Sequence, residues 1–159
     1  MDLQIENLIQ NIRISSLDRF FLIISFSIYI VCAGVLFYYF YKKNNLRFAQ
    51  TAIGFGILFV LTEALKNLFL RARPDLSDNL SFPSRHAAFA FFVAMFLPVE
   101  KKWKILLWMW AILVAFSRLW LNLHWFSDVV AGAGIGIVTV FFIKNNKNLR
   151  KWRVFGMKK

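Results

Sequence analysis

His124 and Asp128 stand one helical turn apart, a spacing that lets the carboxylate hold one imidazole nitrogen and leave the other free to attack an electrophile. Lys66 and Arg73 are separated by roughly two turns, so they share a face if the helix carrying Lys66 continues to Pro74, which then ends it. Two fixed cations facing one point suggest an anion. Glu63, a turn before Lys66, reads as a structural partner for that lysine. In Pro83-Ser84-Arg85-His86 a loop becomes a helix, so backbone N–H groups and the Ser84 hydroxyl can point at an anion on the positive helix end, and His86 adds a titratable donor. Ser117-Arg118 supplies a further cation. A lone His beside an Asp is more often a satisfied structural pair. Here the pair converges with three cations and a second histidine at one depth, which favours a reactive site.

That common depth follows from the elements that carry these residues. The chain has 159 residues, 59% of them hydrophobic and 18% aromatic, too apolar for one small soluble core, so lipid must solvate much of it. Residues 20–41 carry no charge and are long enough to cross the hydrocarbon. A second span is expected over about 48–70, interrupted by Glu63 and Lys66 near its far end. Residues 71–83 are rich in turn formers. A short third span begins near Ser84 and includes the uncharged stretch 87–99, with Pro98 near its end. The fourth covers about 105–123 with Arg118 in its last turns, and the fifth about 125–143 with Asp128 in its first turns. An ionisable side chain inside such a helix costs about 3 kcal/mol, so a functional pocket or an internal partner is the default reading of each.

The net charge of +12 would suggest nucleic acid in a soluble protein, but 13 of the 20 basic residues fall in the loops after spans one and three and in the tail. Five alternating helices put those segments on one side, and the positive-inside rule makes it cytoplasmic. The 71–83 loop and the turn around 121–127 then lie outside, with Lys66, Arg71, Arg73, Arg85, Arg118 and both histidines at the outer level. No nucleic-acid partner is expected. Residues 1–19 mix charges with Leu3, Ile5, Leu8, Ile9 and Ile12, which reads as an amphipathic interfacial helix and not as a cleavable signal peptide. Cys32 has no partner for a disulfide and reads as a small apolar core residue. Gly132 and Gly136, with Gly134 between, would let the fifth span approach a neighbour closely.

Lys66-x6-Arg73-Pro74, Pro83-Ser84-Arg85-His86 and Ser117-Arg118-x5-His124-x3-Asp128 occur in this order over residues 66–128. The chain thereby resembles the type-2 phosphatidic acid phosphatase superfamily, which includes lipid phosphate phosphatases and vanadium haloperoxidases. The resemblance implies that His124 attacks phosphorus to form a phosphohistidine, that Asp128 orients it, and that His86 protonates the leaving oxygen. It also implies that Lys66, Arg73, Ser84 and Arg118 bind the phosphate oxygens. Cations and N–H donors then stabilise the transferring group in the role metals play elsewhere, so neither a metal nor another cofactor is expected. Few carboxylates lie near enough to build a two-metal site.

Two departures stand out. Arg85 occupies a position where the family usually has Gly; it keeps a backbone N–H for phosphate, and its side chain either contacts a second phosphate or points outward to headgroups. The family's membrane members usually have six spanning helices, against about five here, so the N-terminal segment stands in for the missing one.

The fold expected is an all-α polytopic membrane bundle: an interfacial segment at 1–19, a transmembrane phosphatase domain at 20–143 and a basic cytoplasmic tail at 144–159. The function expected is hydrolysis of a phosphate or pyrophosphate ester of a membrane lipid at the outer face of the cytoplasmic membrane. A polyprenyl (undecaprenyl) pyrophosphate comes first, because a short loop and an extra Arg85 suit a compact diphosphate. Phosphatidylglycerophosphate, phosphatidic acid and lipid A phosphates stand as alternatives. A lipid phosphotransferase and a non-catalytic lipid-binding scaffold are the competing classes, the second disfavoured by the presence of both His124 and Asp128. A haloperoxidase is disfavoured by length, and a transporter by the lack of an inverted repeat.

Overall fold

The computed structural model describes residues 1–146, so all but the first three residues of the tail expected at 144–159 lie outside the described residues. Among the described residues six α-helices follow one another: α1 (Asp2–Ile12), α2 (Asp18–Tyr41), α3 (Asn45–Phe69), α4 (Arg85–Phe96), α5 (Lys101–Trp120) and α6 (Phe126–Asn145). Four stretches are long and apolar enough to cross a membrane: Ser15–Tyr41, Asn45–Phe69, Lys101–Trp120 and Phe126–Asn145; α4 is a shorter apolar helix.

Local chemistry sets the boundaries. Asn44 caps α3, its side-chain oxygen accepting the Arg47 N–H at 3.1 Å. The helix stops at Leu70, which turns left-handed at φ 44° while its N–H still reaches Lys66 O at 3.0 Å. Pro98 holds the preceding Leu97 in an extended conformation, so α4 has only 12 residues. Lys104, from the first turn of α5, donates to the freed carbonyls of Met95 at 3.1 Å and Leu97 at 2.7 Å.

The short helix is the centre of the bundle. It packs against α2, α3, α5 and α6, and Ala87, Ala88, Ala90, Phe92, Ala94 and Phe96 are wholly or almost wholly buried. A Cβ on Gly132 would collide with Ser84 O and one on Gly136 with Ala88 O, whereas Gly134 faces open space. Two of the three α6 glycines therefore bring the starts of α4 and α6 together. The two helices run parallel, since Ser84 at one end donates its N–H to Asp128 O at 3.0 Å and Lys144 at the other points to Met95 O at 3.5 Å.

Helix α1 lies across the ends of α5 and α6. Ile9 buries itself against Phe21 and Trp120, and the Gln10 amide donates to Leu119 O at 3.3 Å. Leu3, Leu8 and Ile12 stay exposed on its outer side.

Candidate active site

Four helix ends meet at one end of the bundle: the last turn of α3 brings Lys66, the first residues of α4 bring Arg85 and His86, the last turn of α5 brings Arg118, and the first turn of α6 brings Asp128. The α3–α4 loop adds Arg71, Arg73 and Ser81, and the α5–α6 turn adds His124. Sequence positions 51 residues apart thus become neighbours: His86 lies in the field of Lys66, Arg85, Arg118 and His124, and His124 in that of Arg73 and Arg118.

The His124 ring is almost fully buried at 3% exposure, and its Nδ1 sits 2.7 Å from Ser81 O. A carbonyl can only accept, so Nδ1 carries the hydrogen and Nε2 keeps its lone pair. The Asp128 carboxylate, expected to hold that nitrogen directly, lies 3.7 Å away. That is beyond a hydrogen bond. One of its oxygens instead takes the Ser81 hydroxyl and, at 2.8 Å, the Trp125 N–H. Ser81 accordingly contacts both members of the pair, its carbonyl holding the ring and its hydroxyl the carboxylate. Burial pushes the His124 imidazole down to about 4; Arg118 and Arg73 act in the same direction, against the pull of Asp128. It is neutral at pH 7.

The other Asp128 oxygen accepts from Arg71 Nη1 at 2.6 Å, and Arg71 Nη2 donates to Asp2 at 2.7 Å. Asp2 in turn accepts the Ser127 N–H at 3.0 Å and its hydroxyl at 2.6 Å. Burial favours the neutral Asp2 carboxyl, but the bonds from Ser127 and Arg71 outweigh it and hold the group below the usual carboxylate range. Arg71 also stacks over Trp125, whose indole N–H donates to Ala72 O at 2.8 Å. Sequence reading placed Arg71 at this membrane face without a role and passed over Asp2 and Ser81. The Arg71-x-Arg73 doublet was the one visible signal for Arg71. Nothing in the sequence pairs position 2 with position 71.

Two further sequence expectations are corrected. Helix α3 ends at Phe69, so Arg73 reaches the site on a loop and not on a helical face shared with Lys66. It is fixed there by Asp78 at 2.6 Å and Leu123 O at 3.1 Å, and the Arg73 bond holds the Asp78 carboxyl below its ordinary value. Glu63 pairs with Arg85 at 2.7 Å and not with Lys66, because the first turn of α4 brings the longer, forked side chain within reach. Arg85 also lies over the Phe59 ring at 5.3 Å.

Lys66, at 6% exposure, has neither an ion pair nor a side-chain hydrogen bond among the described residues. Arg118, at 8%, donates to Ser25 Oγ at 2.5 Å and, among the described residues, has no carboxylate partner and no hydrogen-bond partner for its Nε. The buried Ser84 hydroxyl is equally unpartnered. The N–H groups of Arg85, His86 and Ala87 precede the first bond of α4, Ala88 N–H to Ser84 O at 3.1 Å, and lack acceptors within the helix. Arg85 is helical and keeps its N–H in line with the others. The His86 ring packs edge-on to Tyr29 at 5.5 Å. The Ser117 hydroxyl turns back to Val114 O at 2.7 Å and is spent within its own helix.

A helical bundle with four membrane-length helices, carrying two imidazoles among clustered cations at one end, defines a polytopic membrane protein with a cation-lined histidine site. Residues 48–152 match the PAP2 superfamily, and the chain belongs to it. It is 29% identical over 144 residues to phosphatidylglycerophosphatase B of Bacillus subtilis (strain 168), covering 79% of this chain and 69% of that protein. The crystal structure of Aquifex aeolicus LpxE superposes with a TM-score of 0.81 at 25% identity, over 91% of this chain and 95% of that one. A PAP2 type phosphatidylglycerolphosphate phosphatase from Bacillus subtilis gives 0.72 at 29% identity, over 90% and 82%. Family and relatives together make this chain a multi-pass membrane phosphatase.

Proposed function

We propose that the chain hydrolyses a phosphate or pyrophosphate ester of a membrane lipid through a phosphohistidine on His124, without a metal. The observation that carries this reading is the pair of buried cations, Lys66 and Arg118, left without carboxylates beside an unpartnered Ser84 hydroxyl and a neutral imidazole. Buried uncompensated charge is costly. A phosphate group arriving there supplies the missing negative charge and the missing acceptors.

His124 Nε2 attacks phosphorus and forms the P–N bond as the P–O bond to the lipid breaks. His86 gives its proton to the departing oxygen; the dianionic phosphate among the cations favours the protonated imidazole that this requires. Lys66, Arg73, Arg118, Ser84 and the free N–H groups of α4 hold the equatorial oxygens as charge spreads over them. Water, with its proton passing to His86, then cleaves the P–N bond and restores both histidines. Asp128 keeps the His124 ring in place through Ser81.

A polyprenyl pyrophosphate is the preferred substrate, its second phosphate drawing the Arg85 guanidinium from Glu63, with which it pairs in the unliganded site. The site faces the extracytoplasmic side, residues 20–143 form the transmembrane phosphatase unit, α1 rests in the outer interface on Leu3, Leu8 and Ile12, and the basic 144–159 tail is cytoplasmic.

The test is phosphate release by detergent-purified protein from a polyprenyl pyrophosphate, phosphatidylglycerophosphate, phosphatidic acid and lipid A, in EDTA, beside His124→Ala. Release by the wild type alone is expected, fastest from the pyrophosphate. Equal release by the variant, or release that stops in EDTA, overturns the mechanism. Transfer to a second lipid in place of water would make the chain a phosphotransferase.

A further inference from the structure

The opposite end of the bundle holds a cavity of about 620 Å³ between α2, the start of α3 and the 97–99 segment. Its origin lies in the length of α4. Pro98 stops that helix after 12 residues, about 18 Å, while the hydrocarbon is about 30 Å thick. Helices α2 and α3 continue beyond it, and nothing from α4 fills the space between them at this end. The walls are mostly apolar, from Val35 on α2 to Leu97 and Pro98, with Tyr38, Tyr39 and Asn44 adding polar atoms. Gly34 adds room, with nothing within 4 Å of the place a Cβ would take.

The dimensions and the charges of this groove match one kind of occupant. From Val31 to Lys42 it follows α2 and its C-cap through eleven residue steps, about 16 Å, close to the hydrocarbon depth of a single leaflet, about 15 Å. Water in such an apolar slot finds few partners, and an empty one forfeits contacts along its whole lining. An acyl chain has the shape and polarity to fill it. The mouth carries Lys42 and Arg47, neither of which has a carboxylate partner among the described residues. Glu100, the one acidic residue at this end, pairs with Lys102 at 3.3 Å. The Arg47 guanidinium is steadied over the Phe96 ring at 5.4 Å.

We propose that this groove binds one anionic glycerophospholipid of the leaflet on the basic side, with its phosphate between Lys42 and Arg47 and an acyl chain lying along Gly34 and Val31. The lipid completes the bundle where α4 ends and stands at the opposite membrane face from His124. The proposal rests on α2 and α3 spanning the bilayer and is independent of the chemistry at His124.

Purified wild-type protein in mild detergent is titrated with phosphatidylglycerol or with phosphatidylcholine of the same acyl chains, and bound lipid is read by native mass spectrometry and by the shift in Tm. One phosphatidylglycerol per chain is expected, bound about tenfold more tightly than phosphatidylcholine. K42Q/R47Q should erase that preference. Gly34→Leu should weaken both lipids by filling the slot while leaving the cations in place. Equal affinity for the two lipids in the wild type, or unchanged retention in both variants, overturns the proposal. So does a Tm shift reproduced by inorganic phosphate alone, which would assign the cations to a soluble anion. Protein that binds the lipid but releases no phosphate refutes only the catalytic reading, and protein that releases phosphate without preferring phosphatidylglycerol refutes only this one.

Discussion

Arg71 joins Asp128 at 2.6 Å with one guanidinium nitrogen and Asp2 at 2.7 Å with the other, so the carboxylate beside His124 is tied to the first turn of the chain. Asp128 is fully buried, and Arg71 is the one cation in ion-pair contact with it among the described residues, the adjacent His124 imidazole being neutral. Arg71→Ala leaves that carboxylate with only the Ser81 hydroxyl and the Trp125 N–H. Arg71 is one-third exposed, which screens the pair, so the expected loss of stability is about 1–2 kcal/mol. A tenfold or greater fall in kcat should accompany it, with KM much less affected. Arg71→Lys keeps the charge but not the fork and should recover only part of kcat. Asp2→Asn, which spares the contact to Asp128, should cost less than about 1 kcal/mol. A ranking of kcat with Asp2→Asn below Arg71→Ala would reject this relay.

Ser81 contacts the histidine and its neighbouring carboxylate through different atoms, which makes the two contacts separable. Ser81→Ala removes the hydroxyl donor to Asp128 but retains the carbonyl acceptor for Nδ1. Stability should fall by about 1–3 kcal/mol, the cost of an acceptor left short of a partner in the interior. Turnover should drop by about tenfold and no further, since the tautomer of His124 is still fixed. Thermal melts and single-turnover rates check both numbers.

The imidazole held near 4 sets the acid limb of the pH profile. His124 must be neutral to attack, so kcat/KM should hold as pH falls through 6.5, the ordinary histidine value, and fail only as pH approaches about 4. Stability follows with the same sign. The unfolded chain binds a proton at this histidine from about 6.5 downward while the folded chain resists it. The contribution is therefore fully present above 6.5 and is lost as pH falls from 6.5 towards 4. The difference in Tm between wild type and His124→Gln should change over that window and be flat above it.

The glycines of α6 should divide by what faces them. Gly132→Ala and Gly136→Ala drive a methyl into the Ser84 and Ala88 carbonyls, fixed backbone atoms of α4. Each should cost about 1–3 kcal/mol, and Gly132→Ala should also lower activity by moving Ser84 and Asp128 apart. Gly134→Ala meets open space and should be neutral or raise stability by up to about 1 kcal/mol. Melting temperatures in one detergent rank the three.

Much of this protein was legible in its linear pattern, because apolar length and charge placement are read against a bilayer whose thickness is fixed. The uncharged stretch at 20–41, the basic turn after it, the turn formers at 71–83 and the start of α4 after Ser84 all lie within a few residues of where the helices place them. Lys66, Arg118 and Asp128 stood out because a charge is expensive inside an apolar span, and Arg73, Ser84, His86 and His124 by their spacing and their place where loops meet helices; the structure puts all seven at one end of the bundle.

Partner choice was decided only in three dimensions. Periodicity placed Glu63 beside Lys66, but the approach of α4 delivered Arg85 to it first. The turn after α5 set Ser81 O closer to His124 than the carboxylate one turn along, and packing of α1 over the helix ends brought Asp2 to Arg71. Helical spacing fixes distances within one element and is silent about distances between elements. Those depend on how closely backbones approach, which Gly132 and Gly136 permit and which the early stop of α4 at Pro98 limits at the other end of the bundle.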